Sequence, residues 1–202
     1  MATYDRKDAF HQRAKREGYR SRAAYKLLEI QAKHRLLTRG QRVVDLGCWP
    51  GGWLQVAAGL VGPSGRVVGV DVAAINPPLE LANVIAICRD LSEPGVLEQV
   101  LSALGGRAQV LLSDAAPKLT GVRATDRARE EELLTTIAAL VPALLAPGGD
   151  LLIKLFDSPE ADAAARALGR SFEKTIGMRP EASRRGTSER YLLARGYRPD
   201  AP

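Results

Sequence analysis

The run Asp45-Leu-Gly-Cys-Trp-Pro-Gly-Gly-Trp53 follows a short apolar stretch, and a lone acid, Asp71, stands 24 residues after Gly47. Glycines let a backbone approach a ligand closely and turn into the next helix. A carboxylate at the end of the following strand suits the hydroxyls of a ribose. The loop is not G-x-G-x-x-G, and Pro50 and Trp53 stand where a pyrophosphate loop needs small residues and free N–H groups. A nucleoside cofactor without phosphates fits this pattern, and S-adenosylmethionine is the expected one. Asp90 follows a third apolar run; it suits an adenine amino group and equally a turn or helix cap. Lys154 sits inside Leu151-Leu-Ile-Lys-Leu-Phe156, where a lysine is costly unless it has a partner or a task. Asp114 ends another apolar run just before Ala-Ala-Pro117. No cysteine or histidine cluster has metal-ligand spacing, so no metal is expected. Cys48 and Cys88 read as small buried hydrophobes, Trp49 as packing, and His11 and His34 as surface residues.

These residues need a scaffold, and the pattern around them supplies one. Short apolar runs at Arg42–Leu46, Arg66–Asp71, Asn83–Ile87, Gln109–Ser113, Asp150–Phe156 and Arg190–Arg195 read as strands. Helices are expected at 52–60, 93–104, 127–145 and 159–172, the third closed by Pro147-Gly148-Gly149. Residues 22–33 form an amphipathic helix with Ser21 as its N-cap and Ala23, Ala24, Leu27, Leu28 and Ile30 as its apolar stripe. Strands alternating with helices predict an α/β fold with a mostly parallel central sheet flanked by helices. Such sheets bind ligands at the carboxyl ends of their strands. Asp45, Asp71, Asp90, Asp114 and Lys154 all fall at or near those ends.

The chain has 202 residues, 46% hydrophobic and 26% charged, which predicts one domain. Its expected parts are a frayed basic arm at 1–18, a helical segment at 19–39 and a core at 40–197. Two cysteines without C-x-x-C exclude a disulfide scaffold and a zinc ribbon. No apolar run approaches the roughly 20 residues of a membrane span, and the first residues are not a signal peptide, so a cytoplasmic protein without a membrane partner is expected. Charge is unevenly spread: residues 1–42 carry +8, residues 43–165 carry −7 and residues 166–198 carry +6. Two basic ends around an acidic middle favour a polyanion partner over mere solvation of the fold.

Four segments together resemble a known family: Tyr19-Arg-Ser-Arg-Ala-Ala-Tyr-Lys-Leu-Leu-Glu-Ile30, Val43-Val-Asp-Leu-Gly-Cys-Trp-Pro-Gly-Gly-Trp53, Ser113-Asp-Ala-Ala-Pro117 and Leu152-Ile-Lys-Leu-Phe156. The chain is similar, from about residue 18 to 197, to the RlmE/FtsJ (RrmJ) family of ribosomal RNA large-subunit ribose 2′-O-methyltransferases. The resemblance implies a Rossmann-like fold with a seven-stranded sheet, S-adenosylmethionine as donor, and a Lys-Asp-Lys-Glu catalytic set. Matched by motif, that set is Lys26, Asp114, Lys154 and Glu189. The matching cofactor positions are Gly51, Trp53, Asp71, Asp90 and Asp114, beside the Gly47 turn. The sequence departs from the family's pattern at Trp49, where many relatives have Ala, at Asp157-Ser-Pro159, and around Glu189.

A ribose 2′-hydroxyl is a poor nucleophile, so alignment with the methyl group and help with its proton are the two tasks. Lys154 suits either taking the proton or steadying the developing alkoxide. Burial and Lys26 favour its neutral form, Asp114 and Glu189 its charged form. The expected substrate is 23S ribosomal RNA, at a uridine of the A-loop within the large subunit, with a monomeric enzyme and no DNA. The alternatives are 2′-O-methylation of a transfer-RNA anticodon loop, a small-molecule or protein methyltransferase, and a non-catalytic RNA-binding protein. The missing G-x-G-x-x-G disfavours a dehydrogenase.

Overall fold

A computed structural model describes residues 9–117, 120–183 and 186–200, with the side chain of Arg123 outside the description. Arg42–Leu46 (β1), Arg66–Asp71 (β2) and Val84–Cys88 (β3) form parallel pairs on one side of the sheet. Ala108–Ser113 (β4) lies parallel to β1, and Leu145–Phe156 (β5) parallel to β4. Glu189–Tyr197 (β7) runs antiparallel to β5, and Phe172–Met178 (β6) antiparallel to β7. The seven strands stand in the order β3-β2-β1-β4-β5-β7-β6. Chain order reverses between β1 and β4, so a crevice opens at their carboxyl ends.

Helices cover both faces, which is why the central strands are apolar on both sides. Val96–Leu104 (α4), Arg123–Leu144 (α5) and Pro159–Gly169 (α6) join one buried cluster with Val44, Leu46 and Ile153. Ala24–His34 (α2) and Gly52–Val61 (α3) pack in a second cluster with Val43, Leu152 and Tyr191.

The structure corrects several sequence expectations. Ala9–Glu17 is a helix (α1), not a frayed arm; residues 1–8 lie outside the described residues. A nine-residue helix is marginal alone. Here Ala14 is buried, Phe10 packs on Tyr25, and the Arg13 guanidinium lies 4.7 Å from the centroid of the Tyr25 ring. Ser21 does not cap α2: Ala23 precedes the helix without a side-chain cap, and the Ser21 hydroxyl lies against Gly52, where a β-carbon would collide with it. α4 starts at Val96 rather than 93, because Gly95 takes a positive φ of 80° at its head. α5 starts four residues earlier than expected and passes through Pro142, and β5 continues through the Pro-Gly-Gly expected to end the helix. β6 was not read from the sequence: the helix expected at 159–172 in fact stops at Gly169, and Phe172 opens a strand. It is an edge strand whose Glu173 and Lys174 face solvent, so its apolar alternation is weak. Cys88 is exposed on edge strand β3, not buried, while Cys48 is buried. Trp49 is 57% exposed and so does not serve as packing.

Candidate active site

The turn from β1 into α3 is pinned from below: the N–H groups of Gly47 and Cys48 both donate to the carbonyl of Val70 in β2. Gly47 has φ of 81°, and a β-carbon there would sit 2.5 Å from the Ala115 side chain and 2.7 Å from its Cα. Only glycine lets the β1 turn and the chain leaving β4 approach this closely. Beyond the turn lies a cavity of about 680 Å3, walled by Gly47, Trp49, Asp71, Asp90, Leu91 and Asp114, with Arg129, Glu132, Leu133 and Thr136 of α5 on the far side.

Two carboxylates of this wall, Asp71 and Asp90, are fixed by backbone. Asp71 Oδ2 accepts the Trp49 N–H at 2.8 Å, and Oδ1 accepts the Ala73 N–H at 2.9 Å. Asp90 Oδ1 accepts the Ser92 N–H at 2.8 Å and its hydroxyl at 2.7 Å. These bonds, the backbone one foremost, hold the Asp90 carboxyl below the usual range. Asp90 is thus at once a turn residue and a wall residue. Gly51, with φ of 105°, heads α3 and is not on the wall. Trp53 is buried behind it: its indole N–H donates to the Ala23 carbonyl at 2.8 Å and its ring packs on Tyr191. The structure therefore places Trp53 between α2 and the sheet rather than in the cavity wall.

Strand register assembles the second half of the site. Parallel pairing sets Ser113 of β4 beside Ile153 of β5, so Asp114 arrives next to Lys154. Antiparallel pairing sets Tyr191 of β7 opposite Lys154 and Glu189 opposite Phe156. Residues two apart in a strand share a face, so Glu189 and Tyr191 project together toward α2. Lys26 reaches down from α2 to meet them. Lys154 Nζ donates to the Asp114 carbonyl at 2.5 Å and lies 3.1 Å from Asp114 Oδ1. Lys26 Nζ is 2.7 Å from Glu189 Oε1 and 3.7 Å from Asp114 Oδ1. Ser183 donates to Glu189 Oε1 at 2.8 Å. Both lysines are buried, at 7% and 9% exposure, so each charge depends on these partners. From α5, Glu130 accepts the N–H of Phe156 at 2.8 Å and steadies the end of β5.

Lys26, Asp114, Lys154 and Glu189 thus form one contiguous cluster, and Asp114 belongs both to it and to the cavity. Glu189 opens β7 rather than preceding it. Sequence reasoning missed Tyr191, whose hydroxyl meets Lys26, Asp114 and Glu189. The available signal was its place two residues after Glu189 in the last strand. It also missed the α5 side of the cavity, whereas Trp49, singled out as a departure from the family's pattern, does stand on the wall. His11 is exposed and His34 partly so; neither lies in the cavity wall.

Asp45 stands directly behind the site. It is fully buried, and among the described residues neither carboxylate oxygen has a hydrogen-bond partner. Burial first, then the charges of Asp114 and Asp71, push its carboxyl well above the usual range. The folded chain then keeps a proton that the unfolded chain releases above about pH 3.9, so stability falls as pH rises from there through the folded-state value. Asp45→Asn should raise the melting temperature at pH 8 by about 2–4 °C for each kcal/mol relieved. The gain should shrink toward pH 4. Melting curves with the same difference at both pH values would contradict a buried proton on Asp45.

The FtsJ-like methyltransferase family model matches residues 19–197. The large-subunit ribosomal RNA methyltransferase E of Acidithiobacillus ferrooxidans is 46% identical over 188 residues, spanning 93% of this chain and 84% of that protein. A Plasmodium falciparum crystal structure described as a ribosomal RNA methyltransferase superposes with a TM-score of 0.76 at 25% identity, covering 89% of this chain and 98% of that one. Aeropyrum pernix fibrillarin, solved with natively bound S-adenosyl-L-methionine, shares the fold, with a TM-score of 0.60 at 17% identity over 85% of this chain and 73% of that one. Strand order, the Gly47 turn and the matched span lead to one conclusion: the chain belongs to the FtsJ-like methyltransferase family.

Proposed function

We propose that this protein transfers a methyl group to the 2′-hydroxyl of a ribose in large-subunit ribosomal RNA, at a uridine of the 23S A-loop. The observation that carries this reading is the buried Lys154, bonded to Asp114, which is itself part of the cavity wall. A hydroxyl brought to the cavity's edge at Asp114 meets an amine there. The substrate is inferred from the relatives' name and from the family resemblance.

The cavity's residues fit S-adenosylmethionine. The close Gly47–Ala115 approach leaves the turn's backbone bare, the backbone-held Asp71 suits ribose hydroxyls, and Asp90 beside Leu91 suits an adenine edge. When bound, that group supplies a methyl activated by a sulfonium. The chain's own residues do the rest. Lys154 orients the 2′-hydroxyl and receives its proton at Nζ. Asp114 fixes Lys154 through its carbonyl and its carboxylate. Lys26, tied to Glu189, positions the ribose and its phosphate. Gly51 and Trp53 act by shaping the turn and its support. Alignment of this kind supplies on the order of 7–11 kcal/mol at best.

Asp71→Ala should weaken binding of S-adenosylmethionine by about 1–3 kcal/mol, the cost of leaving the ribose hydroxyls without their acceptor. Titration calorimetry showing unchanged affinity would remove Asp71 from the cofactor site.

RNA is held through the basic ends, and α1 refines which residues do so. Arg13 is committed to Glu17 at 2.8 Å and to Tyr25, and Arg20 donates to the Pro78 carbonyl. Lys15 and Arg16 stand exposed on the last turn of α1. Replacing both by Gln should flatten the salt dependence of RNA binding by close to one unit of slope per lost phosphate contact. An unchanged slope would take α1 off the RNA path.

The deciding experiment maps 2′-O-methyl groups in total RNA from cells with and without the gene. Loss of the A-loop mark, restored by the parent gene, is the expected result. Loss of a transfer-RNA anticodon mark instead would move the substrate. The same comparison on isolated RNA and on large subunits tests our expectation that a cytoplasmic monomer acts on the assembled particle.

A further inference from the structure

Among the charged residues of the cluster stands a neutral one, in contact with three of them. The Tyr191 hydroxyl accepts from Lys26 Nζ at 2.9 Å and donates to Asp114 Oδ1 at 2.6 Å. Glu189 Oε1 lies farther off, at 3.4 Å. Tyr191 is 1% exposed, and its ring packs on Trp53 with centroids 6.0 Å apart, so the hydroxyl cannot swing away. Antiparallel pairing holds its backbone opposite Lys154. It does not line the cavity.

We propose that Tyr191 is a positioning residue for methyl transfer: its hydroxyl spends part of the charge of Asp114 and so loosens the hold of Asp114 on the Lys154 proton. This inference rests on the function proposed above. Asp114 Oδ1 is shared among Lys154, the Tyr191 hydroxyl and, at longer range, Lys26. A carboxylate that accepts a strong O–H bond is a weaker partner for its other neighbours. The groups facing this point are Lys26 from α2, Asp114 after β4, Lys154 from β5, Glu189 and Tyr191 from β7, and Asp45 in β1. Burial, then the charges of Asp114 and Glu189, keep the tyrosine proton on well beyond its usual range, so the hydroxyl remains a donor at working pH. Lys26 has its own carboxylate partner in Glu189, at 2.7 Å. What changes on its removal is how much of Asp114 faces Lys154.

Tyr191→Phe keeps the ring, its burial and its contact with Trp53. Two readouts test it. In the first, the Nζ resonance of Lys154 is followed by NMR against pH, assigned with Lys154→Arg. The midpoint should rise by about one unit in Tyr191→Phe, with Lys154 holding its proton more tightly. In the second, single-turnover transfer at saturating cofactor should be about tenfold slower at pH 7 and recover as pH rises, because a one-unit shift leaves a tenth as much neutral amine. Calorimetric affinity for S-adenosylmethionine should be unchanged. An unmoved or lowered midpoint, or a rate loss equal at every pH, overturns the proposal and leaves the methyl-transfer function standing. A raised midpoint in a parent protein that transfers no methyl group to ribosomal RNA keeps the tyrosine's effect and overturns the function instead.

Discussion

Lys154→Ala should slow methyl transfer by about 10²–10⁴-fold while fold and cofactor affinity survive. The size follows from where the group acts. Lys154 is 9% exposed, meets Asp114 twice, and does not line the cavity proposed for the donor. An interaction made with the reacting hydroxyl is lost from the transition state and not from the cofactor complex. The fold survives because the strand's neighbours Leu152, Ile153 and Leu155 carry its packing. Removing the lysine leaves Asp114 with Tyr191 and Lys26, so no carboxylate is stranded without a partner. Lys154→Arg should not rescue the rate, since guanidinium does not give up its proton and its planar fork does not fit a slot shaped for an ammonium. The measurement is single-turnover transfer at saturating cofactor. A Lys154→Ala rate near that of the parent would send the search for the proton acceptor elsewhere.

How much of this was legible in the sequence depends on which interactions are local. β1 and β2 were read to the residue because a strand buried on both faces is a continuous apolar run bounded by turns. The Gly47 turn and Asp71 were readable for the same reason, since they sit a fixed step beyond those runs. Lys154 stood out as a charge in an apolar strand. Lys26 and Glu189 were different. Each is an ordinary charged residue on a helix or at a strand start, and only a resemblance to known proteins singled them out. Their meeting depends on α2 crossing the sheet and on β7 running antiparallel to β5, and neither is encoded near them. Tyr191 was invisible for that reason too: its task is set by what register puts opposite it. The α5 wall of the cavity was hidden because Arg129, Glu132 and Thr136 read as the solvent face of a helix. α1 and β6 share a physical cause of failure. Both are short and half exposed, and they are held by tertiary contacts rather than by their own patterns.

Asp114→Asn should cost about 10²–10³ in rate, and the loss should not multiply with that of Lys154→Ala. Asp114 Oδ1 is the one oxygen reached by Lys154 at 3.1 Å, by the Tyr191 hydroxyl at 2.6 Å and by Lys26 at 3.7 Å. Asn has nearly the same shape, so packing changes little. What goes is the negative charge, leaving Glu189 as the carboxylate against two buried ammonium groups in this cluster. Lys154 keeps its bond to the backbone carbonyl of residue 114, which a side-chain change does not remove. The lysine thus keeps its backbone anchor but loses the carboxylate that aims its amine, and this misaiming outweighs the easier loss of its proton. Asp114 also forms part of the cavity wall, so cofactor affinity should weaken as well, by less than the rate. If the pair acts as a unit, Asp114→Asn in the Lys154→Ala background should change the rate by no more than about threefold, because the charge has no remaining lysine at 154 to orient. Losses that multiply across the double mutant would mean that Asp114 acts on the donor alone, and its contact with Lys154 would then have no part in the rate.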